Sequence, residues 1–453
     1  MKNMKIKTEA CILGAGAGGI GCVYRLIKNG IKTVVVDKNP DFGGTAVFCG
    51  VDGWEPGVSL DGIHLLLKDE LMKMNNACHV VEGVPNANLF DPTTGNNWEK
   101  HSFKERPWGL SIPTGRSYED TLKRCLALRG NDGPMIRFQF EPECMKNAVN
   151  NILEPYKNNL TTLFNSEYKY CKTKDGKIES IIVSGENEDI EIVADYFVDA
   201  SGDIVLARNA GCEYYFGCEG KEEFGEPSAN EKNENINAVT YVFRISKTKD
   251  SVHIDEIPDE YKDIDVSDWM NNCMRKINSC FVFYPNGDIN VNMLPTMQGK
   301  EYFEYGDNAD KVGKARVYKY WNYLQTEKNM QGYTLKTIYN AGIRESYRLK
   351  GKYVLKEQDL RNGMLSQPKI GKTIAIADHA MDIHGENGCC KELNLPYEIP
   401  LECSMTNEFD NLFVSCRGAS FSHIAASSVR LTRTMLSMGE GVGEYISELI
   451  LKM

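Results

Sequence analysis

The sequence holds no CxxC pair among its 15 cysteines, no run approaching the ~20 apolar residues of a membrane-spanning helix, and no excess of basic residues. Each shortage excludes something. The cysteines are scattered and odd in number, so they read as thiols of a reducing compartment and not as a disulfide framework. Cys273 and Cys280 have no companion ligands for zinc or an iron–sulfur cluster, and no metal is expected. With 52 basic against 63 acidic residues the formal charge is −11, which repels nucleic acid and anionic membrane at long range. MKNMKIK is basic like the start of a secretory leader, but the apolar segment after it is interrupted by glycines and has no small-residue cleavage pattern. The expectation is a cytoplasmic protein with no nucleic-acid partner and no membrane association.

What is present is ordinary in bulk and specific in detail. The chain is 42% hydrophobic and 25% charged, as soluble globular proteins are, and its 453 residues exceed one typical core. Near the start, ACILGAGAGGIGCVYRLIKNGIKTVVVDK places Gly14, Gly16 and Gly19 in GxGxxG spacing. A short apolar strand precedes them, and a helix-like stretch with Val23, Leu26 and Ile27 follows. That context turns a weak pattern into a strong one, with Ala15, Ala17 and Gly18 completing the bare loop. Gly14 permits the turn, Gly16 lets main chain approach a pyrophosphate, and Gly19 lets the helix lie close on the sheet. Asp37, 23 residues beyond Gly14, closes the second strand with Lys38 behind it. There its carboxylate accepts from ribose hydroxyls and disfavours a 2′-phosphate. An adenine dinucleotide follows, and FAD and NAD both qualify.

The next segment, DFGGTA, separates the two. Gly43, Gly44 and Thr45 offer bare main chain against which a larger ligand can lie, where an NAD domain runs directly into its next helix. This resembles the flavin-binding segment of flavoproteins with the two-dinucleotide fold. Further stretches agree. EPECMKNAVNNIL puts Met145, Val149, Ile152 and Leu153 on one helical face; TTLFNSEYKYC, KIESIIVSG and IEIVADYFVDA read as three strands, the first two joined by KDGK. The third enters DASGD, with Ala200, Ser201, Gly202 and Asp203, a run that returns to the cofactor in many FAD enzymes.

With GIRESYRLKGKYVL, ADHAMDIHG, LPYEIPLECSM and the long stretch from Asp410 to Gly443, these motifs resemble the FAD-dependent oxidoreductase family, bacterial flavoproteins of the glutathione-reductase-type fold distantly similar to fumarate reductase flavoprotein subunits. The resemblance covers residues 8–75, 134–246 and 338–450. It departs at Cys416-Arg417 for Gly-Arg, at GEGVG for Gly-Gln-Ala-Ala-Gly, and at Asp37 for the commoner Glu. It implies an α/β fold: a Rossmann-like FAD-binding domain, parallel sheet plus β-meander, with an inserted α+β cap domain over the substrate. The expected division is a discontinuous FAD domain (1–75, 134–212, 370–453), a cap (213–369) and an insertion or lid (76–133). It further implies that Arg417 lies near the ribityl or pyrophosphate. The final helix is expected to begin near Gly439–Gly443, so that Gly441, Val442 and Gly443 meet the pyrimidine side of the flavin while Glu440 points away.

Residues 213–340 change character. EGKEEFGEPSANEKNENIN is polar enough to be a mobile loop, INAVTYVFRIS is a strand, and FVFYPNGDINVNML is a hairpin around Asn286-Gly287. KVGKARVYKYWNYLQ reads as a helix with Val312, Val317, Trp321 and Leu324 inward. His64, His79, His101 and His253 lie outside the strong motifs and read as ordinary histidines. His384 and His423 sit inside motifs of the family and are the catalytic candidates, as substrate or flavin contacts or as structural hydrogen-bonding groups. Arg344 offers a fixed cation for a substrate carboxylate or carbonyl, or ties the cap to Glu345; Arg430 reads as a helix anchor. Cys389-Cys390 reads as two packed thiols.

The function expected is hydride transfer between flavin N5 and a small organic substrate, with His384 or His423 handling the proton. A flavin-dependent monooxygenase and a non-catalytic flavin-binding protein are the alternatives. No second GxGxxG provides for a resident nicotinamide, so electrons pass to or from an external partner. The acidic surface and large cap are compatible with a homodimer.

Overall fold

The structure is a computed structural model. It describes residues 4–55, 57, 62–85, 89, 98–105, 135–185, 187–250, 252–385 and 388–452. Two seven-stranded sheets organise it. In the first, strand Met4–Leu13 pairs in parallel with Thr33–Val36 on one side and Ile190–Asp199 on the other; Leu160–Leu163 extends one edge in parallel. Ile190–Asp199 pairs antiparallel with Lys177–Val183 along its first half, which in turn pairs antiparallel with Tyr168–Lys174, and pairs in parallel with Leu412–Val414 along its last three residues. The runs TVVV and CIL are buried throughout, as strands inside a covered parallel sheet are.

Helix Ala17–Lys28 follows the first strand and buries Val23, Leu26 and Ile27 completely, each contributing about 1.5–3 kcal/mol of transfer free energy. Against it runs the last helix, Thr432–Leu451. Gly439 and Gly443 lie at the contact: a Cβ on Gly439 would run into the Gly18 carbonyl, and one on Gly443 would come within 2.8 Å of the Cys22 carbonyl. Main chain thus meets main chain.

The second sheet is antiparallel throughout, in the order Tyr333–Ile338, Val239–Lys247, Ile289–Met297, Cys280–Phe283, Cys78–Pro85, Met135–Phe140, Gly53–Trp54. Helix Ala309–Glu327 covers one face of it, with Val312, Val317, Trp321 and Leu324 inward as the sequence predicts.

Several expectations change. TTLFNSEYKYC is two strands, Leu160–Leu163 and Tyr168–Lys174, parted where Asn165 takes a left-handed φ of 54°. The expected lid, 76–133, falls largely outside the described residues, including 106–133, but Cys78–Pro85 within it is an interior strand of the second sheet. Leu349, Leu355 and Leu360, grouped with the cap by sequence, pack into the core of the first sheet. The polar stretch expected as a mobile loop closes on itself through Cys218 and Asn233, and its Glu226 is buried against Ser422 and the Glu357 amide. Among the described residues no helix is long and apolar enough to cross a membrane, and no group of three or more His, Cys, Asp or Glu could hold a metal ion.

Candidate functional site

The two glycine-rich loops meet at the carboxyl ends of the parallel strands. Gly43 N donates to Ala15 O at 3.0 Å, Ala15 N donates to Asp37 Oδ2 at 2.6 Å, and Asn39 N holds Asp37 Oδ1 at 2.8 Å. Gly44, at φ 50°, lies so near that a Cβ on it would stand 2.6 Å from the Gly16 Cα. A Cβ on Gly16 would meet nothing nearer than the Gly44 Cα, at 3.8 Å. Main chain at Gly16 therefore stands bare. Helix Ala17–Lys28 begins there without a side-chain cap, which leaves its first-turn amides to a ligand.

These loops wall one end of a cleft of about 1660 Å³, lined by Gly14, Gly16, Ala17, Gly18, Asp37, Lys38, Gly44 and Thr45 and, from DASGD, by Ala200, Ser201 and Gly202. Arg417 joins them, its Nη2 donating to Asp203 Oδ1 at 2.6 Å. Ala15, Gly19 and Gly43 sit behind this surface and shape it. The cleft exceeds the ~300–1,000 Å³ of ordinary small-molecule pockets. An extended dinucleotide fits along the bare loops with space beyond it.

That further space is bounded by the second sheet, whose period-2 alternation divides its side chains in two. Arg137, Gln139, Thr240, Val242, Cys280, Val282, Asn290, Asn292 and Leu294 line the cleft, while Phe138, Phe140, Tyr241, Phe243, Phe281, Phe283, Val291 and Met293 turn into the cores. Asp52, 2% exposed, also lines it. Tyr284 Oη donates to its Oδ2 at 2.6 Å, and Asn290 Nδ2 at 2.7 Å and Gln139 Nε2 donate to its Oδ1. Burial pushes the Asp52 carboxyl up to about 7, against the Tyr284 hydrogen bond and the Arg244 charge.

The third wall carries His384. Asp382 closes strand Met381–Ile383 but one residue, and His384 follows two residues on, a spacing that keeps both side chains on one face. His384 Nε2 lies 2.6 Å from Asp382 Oδ2, and Arg430 Nη2 reaches the same oxygen at 3.2 Å. Burial opposes ionisation of Asp382, but the His384 hydrogen bond and the Arg430 charge outweigh it and hold the carboxyl at about 2. Burial pulls the His384 pKa below the usual imidazole value, with the Asp382 hydrogen bond opposing. The backbone of His384 is clamped: its N donates to Asn237 Oδ1 and its O accepts from Ala238 N, both at 2.9 Å. Arg344 Nη1 bonds to Ala238 O at 3.0 Å and Thr240 Oγ1 at 2.6 Å. His384, Arg344 and Arg430 all line the cleft, and so does His379, whose Nε2 is 3.3 Å from Glu55 Oε2. Arg430 thus faces the site and is more than a helix anchor.

Two expectations fail on geometry. His423 does not line the cleft; it is buried in an ion network, its Nδ1 2.9 Å from Glu345 Oε2, with Arg348 bridging Glu345 at 3.0 Å and Glu219 at 2.9 Å. Burial opposes the His423 charge, yet Glu345 overrides it and pushes the pKa up to about 10, while Glu345 itself is brought down to about 2. Gly441, Val442 and Gly443 also lie off the cleft, because the final helix starts at Thr432, nine residues before Gly441. Leu431, Thr432 and Arg433 stand at the cleft instead. Glu440 turns toward Ile63 N, at 2.8 Å, and Arg25, at 3.3 Å.

Asp52, Asp382 and His379 were not singled out from sequence. For Asp382 the signal was available in the i, i+2 pattern of DIH; for Asp52 there was none, because its donors come from Gln139, Tyr284 and Asn290.

The family described as FAD dependent oxidoreductase matches residues 9–449. A stretch of 40 residues is 48% identical to the glutamate synthase [NADPH] small chain of Halomonas elongata, which is 9% of this chain and 8% of that protein's length. Among solved structures, a geranylgeranyl bacteriochlorophyll reductase-like protein of Thermoplasma acidophilum is 11% identical, with TM-score 0.48 over 99% of this chain and 80% of its own. A flavoprotein/dehydrogenase of Cytophaga hutchinsonii is 12% identical, with TM-score 0.48 over 99% and 79%.

Proposed function

The chain belongs to the family of FAD-dependent oxidoreductases, and on that premise we propose that it moves a hydride between flavin N5 and a small organic substrate at the His384 end of the cleft. FAD, when bound, supplies the two-electron redox chemistry. The bare main chain at Gly16 and Gly44, the uncapped first turn of helix Ala17–Lys28 and the carboxylate of Asp37 are the groups that would hold it.

The observation that carries this reading is the His384–Asp382 pair in the same cleft as the two glycine-rich loops. An ionised Asp382 fixes the proton of the neutral imidazole on Nε2, so Nδ1 is the acceptor. Nδ1 bonds to nothing among the described residues. In substrate oxidation Nδ1 takes the proton of the hydroxyl or amine whose carbon loses the hydride; in reduction of a carbonyl or imine it returns that proton, and in reduction of an enoate a proton goes to the α-carbon as hydride reaches the β-carbon. Asn237 and Ala238 fix the backbone of His384. The finer assignment as dehydrogenase or reductase predicts that an alcohol, amine or enoate changes the flavin's redox state under anaerobic conditions. Alcohols and amines would bleach oxidised protein, and enoates would restore the colour of reduced protein. Protein that binds FAD but responds to no member of such a panel would sink the reading. Electrons then pass to an external acceptor or donor.

A further inference from the structure

We propose that the substrate is a small organic acid whose carboxylate is received by Arg344. The inference rests on the reading of this cleft as the place of substrate oxidation or reduction, and it comes from the charges around His384. Arg137 faces Glu55 at 3.3 Å, Arg430 faces Asp382 at 3.2 Å, and Arg433 faces Asp378 at 2.7 Å. Arg344 has no carboxylate within ion-pairing distance among the described residues. Only its Nη1 is engaged, and by two neutral acceptors, Ala238 O and Thr240 Oγ1. Those bonds fix the plane of the guanidinium and leave Nε and Nη2 without a partner among the described residues.

A guanidinium held this way in a cleft has no ion-pair partner of its own among the described residues. Burial, and then the neighbouring charge of Arg430, pull the Arg344 pKa below the usual value, and the charge of Asp382, itself paired with Arg430, only partly offsets them. An acid brought by the ligand completes the set, and the planar fork matches a carboxylate in bidentate fashion. The adjoining sheet face suits the rest of a small molecule. Thr240 and Val242 project on the same side of one strand, and Asn292 stands opposite Val242 on the next. The Asn292 side chain makes no hydrogen bond among the described residues, and its Oδ1 is buried. A donor on the substrate would satisfy it.

The test uses the FAD-loaded protein under anaerobic conditions and reads perturbation of the flavin absorbance together with calorimetric heat. Glycolate, succinate and benzoate are titrated beside glycolamide, succinamide, benzamide and inorganic phosphate. At least one carboxylate binds, with its amide and phosphate weaker by about tenfold or more. Arg344→Gln loses that preference while keeping its flavin, and Arg344→Lys, which restores charge without the fork, recovers part of it. Thr240→Val, which keeps the guanidinium and removes one anchor, weakens carboxylate binding by a smaller factor and serves if Arg344→Gln fails to fold. The proposal is overturned if no carboxylate binds, if amides or phosphate bind as tightly, or if Arg344→Gln binds carboxylates like the wild type. Carboxylate binding without any substrate that changes the flavin's redox state would defeat the oxidoreductive reading of the cleft and leave the anion site standing. Bleaching by an uncharged alcohol, unaffected by Arg344→Gln, would defeat the anion site alone.

Discussion

Gly44 and Gly16 touch through their Cα atoms, and the contact is asymmetric: a Cβ added to Gly44 would stand 2.6 Å from the Gly16 Cα, whereas one added to Gly16 would stand 3.8 Å from the Gly44 Cα. The fold requires a glycine at the first position and leaves main chain bare toward the cleft at the second. Gly44→Ala is expected to cost about 1–3 kcal/mol, from the crowded Cβ and the left-handed φ together. Gly16→Ala is expected to unfold at the wild-type temperature when stripped of flavin, yet to purify with less FAD. Thermal unfolding of the flavin-free proteins and the flavin-to-protein absorbance ratio check both. Full flavin content in Gly16→Ala would show that the loop is not the phosphate path.

His384→Gln should retain FAD and slow substrate-dependent flavin reduction by about 10²- to 10⁴-fold, the usual weight of a positioned acid or base. Because burial lowers the His384 pKa, the wild-type reduction rate should be flat through neutral pH and fall only below the ordinary imidazole value of about 6.5. Asp382→Asn should remove the tautomer control and slow the same step. Anaerobic stopped-flow across pH measures it, and a rate in His384→Gln equal to wild type would dismiss the histidine.

His423 and Glu345 make a different prediction, about stability. The folded pKa of His423 is raised to about 10, so its contribution is complete below the unfolded value of about 6.5 and is lost as pH rises through about 10. Glu345, lowered to about 2, contributes above its unfolded value and loses that contribution as pH falls through about 2. His423→Gln should cost about 1–3 kcal/mol at neutral pH, since it removes one charged partner of a buried carboxylate that keeps Arg348 and Asn237. The deficit should narrow steadily in alkaline solution. Urea unfolding at a series of pH values reads this directly; a deficit independent of pH would mean that His423 is not charged in the folded protein.

Asp52 behaves in the opposite sense to Glu345. Its folded pKa is raised to about 7, so between about 3.8 and 7 the folded protein holds a proton that the unfolded chain has released. Stability from this group therefore declines as pH rises through that window. Asp52→Asn should flatten the decline, and an infrared carbonyl band of a buried acid should disappear from the wild type, not from the mutant's spectrum, between about pH 6 and pH 8. An unchanged pH slope in the mutant would place the titration elsewhere.

The nucleotide end was legible because its signals are local. GxGxxG, the strand behind it and Asp37 sit within 30 residues of one another, and the close packing at Gly14 and Gly19 follows from their spacing. INAVTYVFRIS was legible as a strand for the same reason, its alternation surviving into the cleft-facing and core-facing rows. Gly441 and Gly443 misled because a glycine that opens a helix and one that lets a helix lie close on its neighbour look alike in a sequence: Gly441 lets the last helix approach Ile374 of a strand, Gly443 lets it approach Cys22 of the first helix, and only the position of Thr432 as the helix start separates the two readings. His423 misled because Glu345 and Arg348, 78 and 75 residues away, decide its charge. Asp52 is the extreme case, since its three donors come from positions up to 238 residues distant.

The strand alternation of the second sheet has an evolutionary side. Thr240, Val242, Asn290, Asn292 and Leu294 form a palette separated from the packing rows by a single residue each, so exchanging them leaves Tyr241, Phe243, Val291 and Met293 in place. New chemistries can be drawn on that face by drift or by a focused library while the architecture behind it stays fixed.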